Sequence, residues 1–214
     1  MDLYLIRHAQ SLNNARPEEL RVEDPPLSDL GREQASRLMQ RVAELELTQI
    51  LVSPFLRTLQ TAEFLRQAIG LDPRVWVLLH ECGGCVQGPS PSVMVGRPGL
   101  TRSAIQAEFP HCEIDAGIDE RGWWQSQPYE TREQATVRAG KLLDETLRRF
   151  AGTTERVAYV MHADIEMLLL ECLPSPVPAV PFNTSVTRLS LTPAGARVEE
   201  YNDVQHLPQE LRTL

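Results

Sequence analysis

The chain has 214 residues, 42% of them hydrophobic, and a formal charge of −8 at pH 7. One compact domain accommodates this length, so we expect a single domain over residues 1–214. The acidic balance argues against a nucleic-acid partner, which requires a basic face. No apolar run reaches the roughly 20 residues of a membrane span, and "MDLYLIRH" lacks the basic start of a signal peptide. We therefore expect a cytoplasmic protein without a membrane partner.

The first eighty residues alternate between strand and helix patterns. Short apolar runs predict strands at residues 2–6, 49–52 and 74–79. Apolar residues at helical spacing predict two intervening helices, the first with Ser28 as its N-cap. The second is expected to begin at Ser53-Pro54, a capping hydroxyl followed by proline, and to end at Gly70.

Regularity fails between residues 82 and 130, which hold seven of the twelve glycines and five of the sixteen prolines. Only residues 101–109 have a helical pattern there. So long an irregular segment within a domain is usually functional or mobile. We expect an insertion that serves as a lid or determines substrate specificity.

The remainder returns to alternating elements. The pattern predicts a helix over 139–150, a strand over 156–160, a helix over 164–172, an extended proline-rich connection over 174–181, and paired strands around "TPAG". Strands alternating with helices indicate an α/β fold, with helices on both faces of a largely parallel sheet. Ligands of such folds bind beyond the carboxyl ends of the strands.

Polar residues follow four of the predicted strands. Arg7-His8 ends the first, and Arg57 lies one helical turn beyond the second. Glu81 follows the third strand, and His162 follows the fourth. If these strands are parallel neighbours, all five side chains converge on one crevice.

This set of residues suits phosphoryl transfer. Two arginines and a helix N-terminus bind a phosphate dianion, and a neutral imidazole can attack phosphorus. A second, protonated imidazole can stabilise charge on the transferred group, while a carboxylic acid protonates the leaving alkoxide. We expect a phosphohistidine intermediate and neither a metal nor another cofactor, because these cations do what Mg²⁺ does in kinases.

Six segments of the chain resemble the histidine phosphatase superfamily, branch 1, which includes the cofactor-dependent phosphoglycerate mutases. They are "LIRHAQSLNN", "LSDLGREQA", "SPFLRTLQTA", "LLHECGG", "VMHADI" and "NTSVTRLSL". The resemblance covers nearly the whole chain in the family's order. It implies the phosphoglycerate mutase-like fold, a three-layer α/β/α sandwich, and an assembly that is often a homodimer.

The resemblance also implies a role for each matching residue. His8 would be the phosphorylated nucleophile and Glu81 the proton donor. The phosphoryl oxygens and the pocket wall would be contacted by Arg7, Arg57, His162, Asn14 and Ser11. Two positions depart from the family pattern, because Ala9 and Ala163 stand where glycine is usual. Alanine is tolerated there unless the backbone φ is positive.

The motifs alone do not separate a phosphatase from a mutase. Mutases of this family carry paired arginines in the insertion to bind a carboxylate. Here Arg97, Arg102 and Arg121 each stand alone. We therefore expect a metal-independent phosphomonoesterase of the histidine acid phosphatase type, acting on a small phosphorylated metabolite, with a cofactor-dependent phosphoglycerate mutase as the alternative.

The segment "ERGWWQSQPYE" offers candidate specificity residues. Trp123 and Trp124 could stack on a sugar or base while Arg121 binds a second anion. Alternatively, the tryptophans anchor the insertion to the body of the domain.

The cysteines suggest a different class of protein. Cys82-x-x-Cys85 with His111-Cys112 could form a structural zinc site. The adjacent His111 and Cys112 are awkward joint ligands, so we expect free cysteines in or near the lid and no metal. A phosphate-binding protein without turnover is a third possibility, against which the complete set of reactive residues argues.

Overall fold

The structure, a computed structural model, describes residues 1–88, 90, 92–174 and 179–214. Within these residues the strands are β1 (Asp2–Arg7), β2 (Gln49–Val52), β3 (Arg74–Val75), β4 (Val86–Gln87), β5 (Val95–Gly96), β6 (Arg156–Met161), β7 (Val186–Thr192) and β8 (Gly195–Asp203). The α-helices are α1 (Asp29–Ala43), α2 (Leu56–Ile69), α3 (Arg102–Glu108), α4 (Arg132–Phe150) and α5 (Ala163–Glu171). None of these helices is both long and apolar enough to cross a membrane.

Six of the described strands form the central sheet, in the order β3-β2-β6-β1-β7-β8. The first four of that order are parallel to one another, whereas β7 and β8 are antiparallel to their neighbours. The prediction of a largely parallel sheet is confirmed. The carboxyl ends of β1, β2, β3 and β6 consequently lie along one edge.

Helices cover both faces of this sheet, as the alternation of side chains along β1 illustrates. Tyr4 and Ile6 join one core cluster with residues of α1 and α2. Leu3 and Leu5 point the other way, into a cluster with residues of α4 and α5. Burying each such side chain contributes roughly 1.5–3 kcal/mol. The predicted α/β/α layering follows from this two-sided core.

The third strand is shorter than predicted. Pairing with β2 ends at Val52↔Val75, and the Trp76 N–H donates to the Val52 carbonyl at 2.8 Å. Beyond that point β2 offers no further partner, so residues 77–79 close into a 3₁₀ turn that buries Leu79. The predicted strand over 74–79 is therefore wrong in its second half.

The start of α2 also differs from the prediction. The helix begins at Leu56, and its N-cap Phe55 makes no capping hydrogen bond. Asp24, from the preceding loop, accepts the Leu56 N–H at 2.9 Å, while the Ser53 hydroxyl faces a histidine of the site. By contrast, Ser28 caps α1 and left-handed Gly70 ends α2, as predicted.

The insertion over 82–130 contains the β4-β5 hairpin and α3, within the predicted helix at 101–109. An ion pair between Arg138 of α4 and Glu130, 2.7 Å long and buried, closes its C-terminal end. The predicted hairpin around residues 192–195 is confirmed as β7-β8. The extended connection predicted at 174–181 lies partly outside the described residues.

Candidate active site

Arg57 joins two histidines at the carboxyl edge of the sheet. Its Nε lies 3.2 Å from Nε2 of His8, and its Nη2 lies 3.1 Å from Nδ1 of His162. The centroids of the two imidazole rings are 5.1 Å apart, and the ring planes meet at 65°. Arg7 ends β1 immediately before His8. The fold therefore brings His8, Arg57 and His162 together as predicted, while the Nη1 of Arg7 donates to the Pro181 carbonyl.

Hydrogen bonds at both ring nitrogens hold His8 in one orientation. Its Nδ1 lies 2.7 Å from the Ala9 carbonyl oxygen, which can only accept, so Nδ1 carries the hydrogen. Arginine can only donate, so Nε2 of His8 accepts from Arg57. Burial, and then the positive charges of Arg57 and Arg7, lower the pKa of His8 well below its ordinary value. The result is a neutral imidazole whose Nε2 lone pair faces the guanidinium.

The alanine after each histidine is compatible with its backbone. Neither Ala9 nor Ala163 has a positive φ, so neither position requires glycine. The departures from the family's glycines therefore leave the orientation of His8 intact.

His162 has the opposite hydrogen arrangement. Its Nδ1 accepts from Arg57, so its Nε2 donates to the Ser53 hydroxyl at 2.7 Å. Burial is the main cause that lowers the pKa of His162 well below its ordinary value, and Arg57 is the second. A protonated second imidazole was the expectation from the chemistry, whereas this environment favours the neutral form.

Asp24 is a buried carboxyl beside Arg57 that the sequence analysis missed. Its Oδ1 lies 3.8 Å from Nη1 of Arg57. Burial raises the pKa of Asp24 to about 7, against the opposing effect of Arg57. No local pattern identifies this residue, because its helix partner Leu56 lies 32 positions further along the chain.

Glu166 is a second missed carboxyl, on the buried face of α5. Its Oε1 accepts from the Thr187 hydroxyl at 2.8 Å. Its Oε2 and the Nε of Arg7 are both buried, and neither has a hydrogen-bond partner among the described residues. Burial raises the pKa of Glu166 to about 8, which Arg7 partly offsets. A glutamate within the apolar run "DIEMLLLE" is the signal that could have identified it.

Glu81 lies at the N-terminus of α5. Its Oε1 accepts the N–H of Cys82 at 2.8 Å and that of Ile165 at 3.2 Å. Burial first, and the neighbouring Asp164 second, raise the pKa of Glu81 to about 7. The carboxyl is therefore poised to hold or release a proton near neutral pH.

Ser11 and Asn14 are bonded to each other shortly after His8. The Ser11 hydroxyl donates to Oδ1 of Asn14 at 2.8 Å, and the Ser11 N–H donates to the same oxygen at 3.0 Å. Asn13, which lies between them in the chain, lines a cavity beside Arg57 and Glu81. The pair thus shapes the loop that follows His8.

A cavity of about 430 Å³ opens beside Arg57 and Glu81. Gly83 and Gly84 form one wall, and both have positive φ. A Cβ at Gly84 would lie 2.3 Å from the Trp124 ring. The segment "ECGGC" is therefore a tight turn that shapes this cavity.

The three candidate specificity residues lie away from this cavity. Trp123 and Trp124 are buried, 4% and 7% exposed. Trp123 packs edge-on against Phe55, and Trp124 against His80. The side chain of Arg121 is 72% exposed and pairs with Asp119 at 2.7 Å. These contacts favour the alternative in which the tryptophans anchor the insertion to the sheet.

The cysteines occupy separate packing environments. Cys85 and Cys112 belong to one core cluster, whereas Cys82 packs against the other. Burial raises the pKa of Cys85 and of Cys112 to about 12, so both are thiols. Among the described residues, no three potential ligands gather as a metal site would require.

Two histidines, two arginines and a buried carboxyl at this edge of an α/β sheet form the constellation that the motifs imply. A model of the histidine phosphatase superfamily (branch 1) matches residues 3–204, and the chain belongs to this superfamily.

Individual relatives agree with this assignment. A Yersinia pestis (strain Pestoides F) protein named "Probable phosphoglycerate mutase GpmB" is 28% identical over 86% of this chain and 69% of its own length. The solved structure of Bacillus stearothermophilus YhfR is 25% identical, with a TM-score of 0.65 over 96% of this chain and 98% of that one. The fold is also that of mycobacterial glucosyl-3-phosphoglycerate phosphatase in complex with VO3, at 24% identity and a TM-score of 0.62 over 95% and 99% of the two chains.

Proposed function

We propose that the protein is a metal-independent phosphatase that hydrolyses a small phosphomonoester through a phosphohistidine on His8. One observation carries the proposal. The Ala9 carbonyl and Arg57 hold His8 so that its Nε2 lone pair is directed at the guanidinium that would bind the phosphoryl group. A phosphate oxygen that binds Arg57 brings phosphorus within reach of this nitrogen.

In the first step Nε2 of His8 attacks phosphorus, and the bond from phosphorus to the ester oxygen breaks. Arg7 and Arg57 neutralise the phosphoryl oxygens. The leaving oxygen takes the proton of Glu81, whose pKa of about 7 leaves the acid partly protonated at neutral pH. A dianion bound beside His162 would also favour protonation of that imidazole, which stays a prediction.

In the second step the ionised Glu81 removes a proton from a water molecule. The water oxygen attacks phosphorus, and the bond from phosphorus to Nε2 breaks. Inorganic phosphate leaves, His8 is again neutral, and Glu81 is again protonated. Each turnover therefore consumes one water and returns every residue to its starting form.

A phosphoglycerate mutase remains the second candidate, because a relative carries that name. A mutase needs a site for the carboxylate of its substrate, and the arginines of the insertion are poorly placed to form one. Arg102 donates to the carbonyls of Ile118 and Asp115, at 2.8 and 2.7 Å, and Arg97 donates to Gln87. These contacts favour hydrolysis over transfer. One domain, a cytoplasmic location and a homodimer stay predictions.

The test is phosphate release from a panel of phosphomonoesters in EDTA. We expect activity in the wild type, its loss in His8→Ala, and its retention in His111→Ala, which removes an exposed histidine outside the site. Substantial activity in a folded His8→Ala protein would refute the nucleophile. Interconversion of 2- and 3-phosphoglycerate without net release would establish the mutase.

A further inference from the structure

The outer part of the cavity carries negative charge. Beyond Glu81, three acids are among its described lining residues: Glu18, Glu23 and Asp164. The cations that line it are Arg57, which faces the histidines, and Arg21. Building on the proposed phosphatase activity, we propose that the alcohol part of the substrate is uncharged or positively charged and bears no second anionic group.

The positive charge of Arg21 is already balanced. Its Nη1 lies 3.3 Å from Oε1 of Glu18, one turn earlier in the same loop. Both side chains are solvent-exposed, so the pair is weak but leaves no net positive charge at the rim. Arg57 is engaged by His8 and His162 at the inner end. No described lining residue is therefore positioned to neutralise a carboxylate in the outer cavity.

Asp164 acts where the leaving group must lie. Its backbone nitrogen lies 3.5 Å from Oε2 of Glu81, and both residues line the cavity. The ester oxygen has to reach Glu81 to be protonated, which places the first carbons of the alcohol beside Asp164. A carboxylate two carbons away, as in 3-phosphoglycerate, would then face Asp164 at short range.

Glu23 adds to this repulsion from the loop on the other side of the cavity. It is half-buried and acts on the buried groups around it, raising the pKa values of Asp24 and Cys85. At a separation of about 6 Å in a water-like medium, each acid disfavours a substrate carboxylate roughly threefold. Two acids together would give a preference of about tenfold for the uncharged alcohol.

The other described residues that line the cavity are uncharged, and they include both polar and apolar side chains. Asn13, Gln87 and Tyr129 offer hydrogen-bonding groups, and Met94 and Phe55 offer apolar surface. A cavity of about 430 Å³ falls in the size range of small-molecule sites. The chemistry matches a polyhydroxylated or amino alcohol of modest size.

The experiment compares matched ester pairs that differ only by a carboxylate. We would measure kcat/KM for glycerol 3-phosphate against 3-phosphoglycerate, and for phosphoethanolamine against phosphoserine, with nitrophenyl phosphate as the reference. The variants are Glu23→Gln and Asp164→Asn. Glu210→Gln is the control, because it removes an equal charge from an exposed position outside the cavity.

We expect the ester without a carboxylate to be preferred by about tenfold in each pair. Glu23→Gln and Asp164→Asn should each lower that ratio about threefold, and Glu210→Gln should leave it unchanged. Where turnover of a pair is too slow, competitive inhibition of nitrophenyl phosphate hydrolysis gives the corresponding ratio of dissociation constants, on which the same charge repulsion acts. Equal or reversed preference in the wild type, or a ratio unmoved by both variants, would overturn the proposal.

This outcome is distinct from failure of the phosphatase assignment. In that case His8-dependent hydrolysis of nitrophenyl phosphate would itself be missing. An active enzyme that prefers 3-phosphoglycerate refutes the charge argument alone.

Discussion

Two buried histidines share one arginine, yet they have opposite hydrogen arrangements. The Ala9 carbonyl accepts from Nδ1 of His8, which therefore exposes its Nε2 lone pair, whereas His162 donates from Nε2 to the Ser53 hydroxyl and exposes its Nδ1 lone pair. Arg57 donates to both. The Ala9 carbonyl and Arg57 thus fix which nitrogen of each ring carries the hydrogen.

The role proposed for Glu81 predicts how the rate depends on pH. The protonated form must deliver the proton, so with a pKa of about 7 the rate for an alkyl phosphate should fall as pH rises above 7. Glu81→Gln should lower that rate roughly 100-fold or more and abolish this fall. Nitrophenyl phosphate needs little protonation and should lose much less. The measurement is kcat/KM against pH for both substrates, because this ratio reports the pKa values of the free enzyme.

Glutamine can still accept the Cys82 and Ile165 N–H groups, so we expect Glu81→Gln to fold. An unchanged circular dichroism spectrum and a cooperative thermal transition would be the control. Equal losses on the two substrates would remove Glu81 from the role of acid.

The residues that sequence could predict are those with a local pattern. Arg7, His8 and His162 directly follow apolar strands, and a run of parallel strands places such residues at one edge. Asp24 and Glu166 could not be assigned a role in the same way, because their partners come from distant segments. The burial of Trp123 and Trp124 likewise depends on contacts with Phe55 and His80 across the insertion.

At the scale of elements, the boundaries of α2 and β3 show where local rules fail. Ser53-Pro54 has the composition of a helix start, but the Ser53 hydroxyl is used by His162 and the capping acceptor is Asp24. β3 ends because its neighbour β2 ends. Caps and strand lengths that depend on a partner cannot be predicted from their own residues.

Removing the Asp24 cap should destabilise the fold. Asp24→Ala loses the hydrogen bond to the Leu56 N–H, and we expect its free energy of unfolding to lie about 1–2 kcal/mol below that of Asp24→Asn, which removes the same ionisable group. Asp24→Asn keeps an oxygen acceptor and should be the more stable of the two. Urea unfolding of the two variants and the wild type measures this difference, and equal stability of the two variants would show that the cap is not what Asp24 provides.

At the scale of the whole molecule, buried ionisable groups make stability depend on pH. Asp24, Glu81 and Glu166 have raised pKa values of about 7, 7 and 8. The folded protein therefore holds protons that the unfolded chain has released, and stability falls as pH rises toward these values. The buried histidines, whose pKa values are lowered, have the opposite effect, but only below their ordinary pKa of about 6.5.

Between about pH 6.5 and 8, the pH dependence of stability comes from the buried carboxyls and not from the histidines. We expect the free energy of unfolding to decrease across this range, with Glu166 responsible for about 1–2 kcal/mol. Glu166→Gln should flatten this dependence, and Glu171→Gln, an exposed acid on the same helix, should not. Urea unfolding at several pH values tests the expectation, which an unchanged slope in Glu166→Gln would contradict.

The strand order has a consequence for how the protein is made. β1 lies between β6 and β7, both from the last third of the chain. At roughly 5–20 residues per second, the ribosome leaves β1 without either neighbour for about 10–30 s. During that interval an apolar strand with two open edges is present in the nascent chain. His8 then lacks both His162 and the side-chain amide of Asn183, which donates to the His8 carbonyl at 3.0 Å in the folded protein. The edge of the sheet that carries His8 and His162 can therefore form only late in synthesis, after β6 and β7 have joined β1.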